Sequence, residues 1–233
     1  MSNPTHSNTA DFSAENFLDL SRTEHRMIFD KVSAAWEVLP EIAAYLRFRM
    51  KPAIHGVQVG RPFISNQVYI GAGTVIEHGA MIKGPAWIGE NCEIRNGCYI
   101  RENVILGNGV VAGNSCEFKN CLVFDEAQVP HFNYVGDSIL GHKAHLGAGV
   151  ILSNVRLDHG DVRVGAGPNA TPTGLRKFGA IIGDFAEIGC NSVLSPGSII
   201  GRKSVIFPGT QWRGILQAGH IAKTRQPLDI RPV

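Results

Sequence analysis

The sequence predicts an all-β fold, a single-stranded parallel β-helix of hexapeptide repeats with a short α-helical N-terminal segment. Two observations predict it: a six-residue period and an excess of glycine placed by that period. Stepping by six from Ile64 gives Ile70, Ile76, Ile82, Ile88, Ile94, Ile100, Leu106, Ala112, Phe118 and Phe124. The phase breaks between Pro130 and Leu140, resumes at Leu140, Leu146 and Leu152, and returns at Ile182, Ile188, Leu194, Ile200 and Ile206. A helix needs apolar spacings of three and four, and an ordinary strand a spacing of two. Period six fits a short strand and a tight corner, repeated, with the aliphatic side chain pointing inward. Glycine supplies 27 of 233 residues, and Gly71, Gly89, Gly107 and Gly113 follow the aliphatic position, where a corner asks for backbone angles that side chains disfavour.

Taken in order, residues 1–55 have different physics. Ser21-Arg22-Thr23-Glu24 matches a capping box, and Met27, Ile28, Val32, Ala35, Trp36 and Leu39 follow as an apolar stripe interrupted by Pro40. Two readings stand: a partner-docking helix, or a helical cap packed on the open end of the solenoid, and covering an open end is the simpler need. Residues 56–211 form the coil, with an extended loop over 154–178, and 212–233 a polar tail. Three hexads close one triangular coil in hexapeptide-repeat proteins. Residues 18 apart then sit one above another, about 4.8 Å apart.

Composition narrows the function. Lys+Arg 22 against Asp+Glu 20 gives +2, unlike a protein that coats nucleic acid. No apolar run reaches membrane-spanning length and residues 1–10 are polar, so neither a span nor a secretory signal is expected. Five cysteines without a CxxC pair suit a reducing cytoplasm. Cys98 and Cys116 are 18 apart and read, with Cys92, as small core residues.

Lys83, Arg101 and Lys119 are also 18 apart, and stack in three successive coils under the same rule. Like charges about 5 Å apart repel by roughly 1 kcal/mol in water and about 3 kcal/mol at an effective dielectric of 20. A bound polyanion turns that repulsion into attraction, and phosphate suits both a planar guanidinium and an ammonium.

Glu117-Phe118-Lys119-Asn120, His131-Phe-Asn-Tyr134-Val-Gly-Asp137, Gly147-Ala148-Gly149 with Asn154, and Lys177-Phe-Gly-Ala-Ile-Ile-Gly-Asp184 occur in an order seen in one family. They resemble the C-terminal acetyltransferase domain of the bifunctional glucosamine-1-phosphate acetyltransferase/N-acetylglucosamine-1-phosphate uridyltransferase, over roughly Ile64 to Arg225. No stretch of these 233 residues resembles the family's nucleotidyltransferase domain, so uridylyl transfer is not expected of them. The resemblance implies a left-handed coil, a homotrimer with sites between subunits, and acetyl-CoA as co-substrate with no metal. It makes His131 the general base that takes a proton from the sugar amine, Glu117 the carboxylate that orients it, and Asn154 a further catalytic residue. An imidazole titrates near neutral pH and a carboxylate partner fixes its tautomer, which suits the task. Arg101, Lys119, Tyr134, His145 and Lys177 are similar to the family's sugar-phosphate contacts, and Ala148, Cys190, Pro208 and Arg225 to its coenzyme contacts.

Several positions depart from the family. His145 replaces an asparagine, Val155 a tyrosine, Cys190 a serine and Pro208 an alanine. Arg225 either meets a coenzyme phosphate or is one charge of the tail. The stretch between Asn154 and Lys177 is about 17 residues longer than the family's loop, rich in Gly and Pro, and reads as a lid or as a trimer-locking arm. Hexapeptide trimers also include zinc carbonic anhydrases, but His142 and His145 lack a third histidine at the needed spacing, His78 being 64 residues before His142. The expected activity is acetyl transfer to a phosphorylated amino sugar. The alternatives are a sugar-phosphate-binding paralogue without acyl transfer and a partner of a sugar nucleotidyltransferase.

Overall fold

The computed structural model describes residues 11–165, 167–224 and 231. It is the expected parallel β-helix. Successive short strands fall in turn on three parallel sheets of nine, nine and eight strands, each strand bonded to those one coil before and after. The inward positions fill the axis with one apolar column per sheet; Ile82, Ile100, Phe118, Val135, Leu152 and Leu194, fully buried, form that of the third sheet. Cys98 and Cys116 lie inside this core, and burial pushes both thiols up.

Strands of the coil extend from Ala53–Ile54 to Ile221–Ala222, wider than the 56–211 read from the hexads. The hexads fade after Ile206 because the last coil is short: Ile199 pairs with Ile215, 16 positions on, where Ile181 paired with Ile199 at 18. A second irregularity lies mid-coil. Val104 pairs with Cys121 and Glu117 with Tyr134, a register of 17. The missing residue falls at the corner between the third sheet and the first, where Asn120 and Asp137 take φ of 47° and 46°. Phe124, counted inward from the hexads, is therefore one place past the inward Val123 and turns outward, its ring 6.1 Å from that of Phe29. At the same corner one coil later the chain leaves after Leu152 and rejoins the first sheet at Ala180–Ile182, with the inserted segment between. The insertion carries a hairpin, Arg163–Val164 against Thr171–Pro172.

The N-terminal segment runs along the side of the coil. Five of its elements are short: four 3-10 turns and one α-helix, Ile42–Arg49. The capping box expected at Ser21 does not form; Asp19 instead caps the 3-10 turn Leu20–Arg22, its carboxylate accepting from Ser21 N at 3.0 Å, while Glu24 accepts a bond from the Trp87 indole at 3.2 Å. The reason for the lateral seat is an outward apolar column on the first sheet: Trp87, Ile105, Leu122, Ile139, Ile181 and Ile199 stack in register. That column buries against Leu18, Phe29, Trp36 and Leu39 of the strap. Asp184 fastens it, accepting from Asp19 N at 2.6 Å while its own N–H donates to the Phe17 carbonyl at 3.0 Å. Among the described residues no helix is long and apolar enough to cross a membrane.

His25 sits between strap and coil, its ring against Trp87 and Nδ1 3.1 Å from the Tyr45 hydroxyl. Burial, helped by the Arg49 charge, pulls its pKa from 6.5 down to about 3. The unfolded chain thus takes a proton first as pH falls, so stability is full above about pH 6.5 and declines below it. The expected slope is about 1.4 kcal/mol per pH unit through this window. Urea unfolding across a pH series reads it, and His25→Phe should remove it; a slope that persists in the variant belongs to another group.

Candidate active site

The third sheet presents the expected basic row. Tyr99 pairs with Glu117 and Ile100 with Phe118, which places Arg101 beside Lys119, and Met81 pairs with Tyr99, which places Lys83 beside Arg101. The cations are not bare. Lys83 Nζ lies 5.2 Å from the Tyr99 ring centroid. Arg101 Nη1 donates to Glu117 Oε1 at 3.0 Å, and the Glu117 bond raises the guanidinium pKa further. Lys119 Nζ donates to both oxygens of Asp137, at 3.0 and 2.9 Å. Each pairing leaves donors unused, since a guanidinium carries five and an ammonium three.

Asp137 is the hub of this site, and no spacing of 18 marks it. The register of 17 puts Asn120, Asp137 and Asn154 in one corner column. Asp137 is only 3% exposed and accepts from Lys119, from Asn120 Nδ2 at 2.9 Å and from Asn154 Nδ2 at 2.5 Å. Asn154 also reaches the Tyr134 hydroxyl at 3.2 Å, and burial raises the Tyr134 pKa. Its carbonyl accepts from Phe178 N at 3.0 Å, so Asn154 clasps the two ends of the inserted segment. Lys177, exposed, immediately precedes that clasp.

His131 lies at the other edge of the same sheet, at the corner between the second and third sheets. It ends the strand Gln128–His131, paired with Asn114. Gly113 permits the seat: a Cβ there would stand 1.7 Å from the Pro130 carbonyl oxygen, so only glycine lets the strand before His131 approach. The register continues the column downwards. Gln128 opposite His145 brings Ala148 under His131, Leu146 opposite Ile188 brings Cys190 under Ala148, and Ile188 opposite Ile206 brings Pro208 under Cys190. Backbone bonds trace the same line, Gly149 N to His131 O at 3.0 Å, Asn191 N to Ala148 O at 2.8 Å and Gly209 N to Cys190 O at 2.8 Å. His131, Ala148, Cys190 and Pro208 are thus one corner column of four coils.

Other expected pairs are not joined within one protomer. Glu117 bonds Arg101 and no hydrogen bond links it to His131. His145 is on the second sheet, around the corner from Tyr134, with Nδ1 2.7 Å from Glu187 Oε2. Arg225 lies outside the described residues. Among the described residues no group of three His, Cys, Asp or Glu is placed to hold a metal ion.

Residues 82–168 match the GMPPB C-terminal domain family. The uncharacterized acetyltransferase YaiX of Escherichia coli O6:K15:H31 is 37% identical over 172 residues, covering 72% of this chain and 74% of its own length. The bifunctional sugar-1-phosphate nucleotidylyltransferase/acetyltransferase of Sulfurisphaera tokodaii is 36% identical over 95 residues, 41% of this chain; the chain spans 24% of that protein. Perosamine N-acetyltransferase from Caulobacter crescentus, solved as a variant with CoA and GDP-perosamine, aligns over 80% of this chain and 62% of its own, at 13% identity and a TM-score of 0.25.

Proposed function

As the chain belongs to the acetyltransferase family of YaiX, we propose that it moves the acetyl group of acetyl-CoA to the amine of a phosphorylated amino sugar, of the glucosamine 1-phosphate kind. One observation carries the reading: His131 heads a single corner column with Ala148, Cys190 and Pro208, and that corner borders the sheet face bearing Arg101, Lys119 and Tyr134.

In this reading the donor lies along the corner with its thioester beside His131. The sugar phosphate meets the unused donors of Arg101, Lys119 and Lys177, and the acceptor amine faces the imidazole. The amine nitrogen attacks the thioester carbonyl while His131 takes its proton; the tetrahedral intermediate then expels the CoA thiolate, which recovers that proton from the imidazolium. Asn154 and Asp137 act as positioning residues that hold Lys119 and Tyr134. His145 and Glu187 face away from this sheet, so a threefold assembly that sets one protomer's second sheet against its neighbour's third is the natural way to bring His145 to the sugar.

A second reading, a sugar-phosphate-binding protein without acyl transfer, draws on Glu117 being paired with Arg101 rather than with His131. Thiol release from acetyl-CoA with glucosamine 1-phosphate decides between them. For the acyl-transfer reading, Arg101→Ala should raise KM for glucosamine 1-phosphate about tenfold or more, the scale of one charge-assisted hydrogen bond, and leave turnover of free glucosamine nearly unchanged. An equal effect on both acceptors contradicts the phosphate role.

A further inference from the structure

The inserted segment lines a cavity of about 460 Å³ on the third sheet, beyond the Tyr134 cluster. Ser153, Ser195, Arg213 and Arg163 line it, with Val155 and Val193 among its apolar walls. We propose that this cavity binds the phosphate or pyrophosphate ester of a nucleotide.

The sheet register is the first argument. Ile151 pairs with Val193 and Val193 with Gln211, so Ser153, Ser195 and Arg213 stand in one row. That row is the continuation, through Gly136, of Lys83, Arg101 and Lys119. It is cationic at both ends and lined by small side chains between, a trough about 19 Å long from Lys119 to Arg213 at the usual strand spacing.

Charge is the second argument. Arg101 and Lys119 are neutralised by carboxylates, whereas Arg213 has no partner among the described residues. Arg163 bonds the Ala170 carbonyl through Nη2, which steadies the guanidinium and leaves its other donors free. The one carboxylate of the lining, Asp158, is already held by Arg156. The hydroxyls of Ser153 and Ser195 bond no described group. Two uncompensated guanidiniums and two idle hydroxyls beside an apolar wall suit an anion that carries a ring.

Two nucleotides fit this chemistry. Arg213 follows Pro208 by five residues in the same coil, the one of the corner column farthest from His131, and stands across the third sheet from that column. A donor with its thioester at His131 brings its adenosine phosphates to that coil. An acceptor lying in the trough brings its own diphosphate there if it is a nucleotide-linked amino sugar. The choice of source rests on the acyl-transfer reading; the phosphate site does not.

Binding to the full chain is measured by calorimetry with inorganic pyrophosphate, acetyl-CoA, acetyl-pantetheine and UDP-linked glucosamine. Arg213→Ala and Arg163→Ala are each expected to weaken pyrophosphate at least fivefold. Arg176→Ala, an exposed arginine of the same segment outside the cavity, should leave it unchanged. A loss confined to acetyl-CoA, with acetyl-pantetheine unaffected, assigns the site to the donor; a loss for UDP-linked glucosamine assigns it to the acceptor. Wild-type affinity for pyrophosphate in Arg213→Ala, no pyrophosphate binding by the parent, or an equal loss in Arg176→Ala overturns the proposal. His131→Ala should keep pyrophosphate binding, so a failure of acyl transfer reads separately.

Discussion

His131→Ala is expected to lower kcat for acetyl transfer by about 10²- to 10⁴-fold, the usual share of a positioned general base. The fold should not notice. The imidazole is exposed and makes no hydrogen bond to a described group, while the backbone N–H and carbonyl of His131 keep their bonds to Asn133 Oδ1 and Gly149 N. KM for acetyl-CoA and the melting temperature should therefore stay near the parent values. Thiol-release kinetics and thermal unfolding measure the two sides. Equal rates for parent and variant would take His131 out of the mechanism and leave the binding reading standing.

The second large effect is structural. Asp137→Ala is expected to destabilise the protein by about 3–5 kcal/mol, as removing one partner of a buried ion pair does. The lost carboxylate strands three donors at once: the Lys119 ammonium, whose side chain is 19% exposed, and the amides of Asn120 and Asn154. Asp137→Asn should recover only part, because its NH2 group faces donors. Lys119→Met in the Asp137→Ala background should restore some stability by removing the uncompensated charge, and a double-mutant cycle in urea reads the coupling. An unchanged unfolding midpoint in Asp137→Ala would show that the corner does not depend on the carboxylate. Because Asn154 also clasps the inserted segment, protease cleavage within 155–177 should quicken in the same variant.

The coil was legible because inward side chains repeat whatever the corner does between them. Arg101 over Lys119, and Cys190 over Pro208, follow from 18-residue spacings that the strands obey. Where the count changes, the pattern goes silent. The shortened corner shifts the register to 17, so neither the Asn120–Asp137–Asn154 column nor the seating of Ala148 under His131 obeys the 18-residue spacing. Cys190 is 42 positions from Ala148 because the insertion intervenes. The lateral seat of the N-terminal strap had a signal: Trp87 and Ile105, and Ile181 and Ile199, are also 18 apart. They are the middle residues of three-residue strands, and their outward face lies outside the inward six-residue period. The carboxylates on the basic row escaped for a different reason. Glu117 reaches Arg101 across the pleat, a side-chain choice that a period does not encode.

The strap sets an order on assembly. Phe17 receives its bond from the backbone of Asp184, and Trp36 lies 5.9 Å from Phe178. The seat of the strap, begun on Trp87 and Phe124, can therefore be completed only after synthesis has passed residue 199, when the last of its outward aliphatic partners has emerged. Until then the far end of the growing prism shows a greasy stripe down one side, open to the same stripe on another copy until the tethered strap covers it.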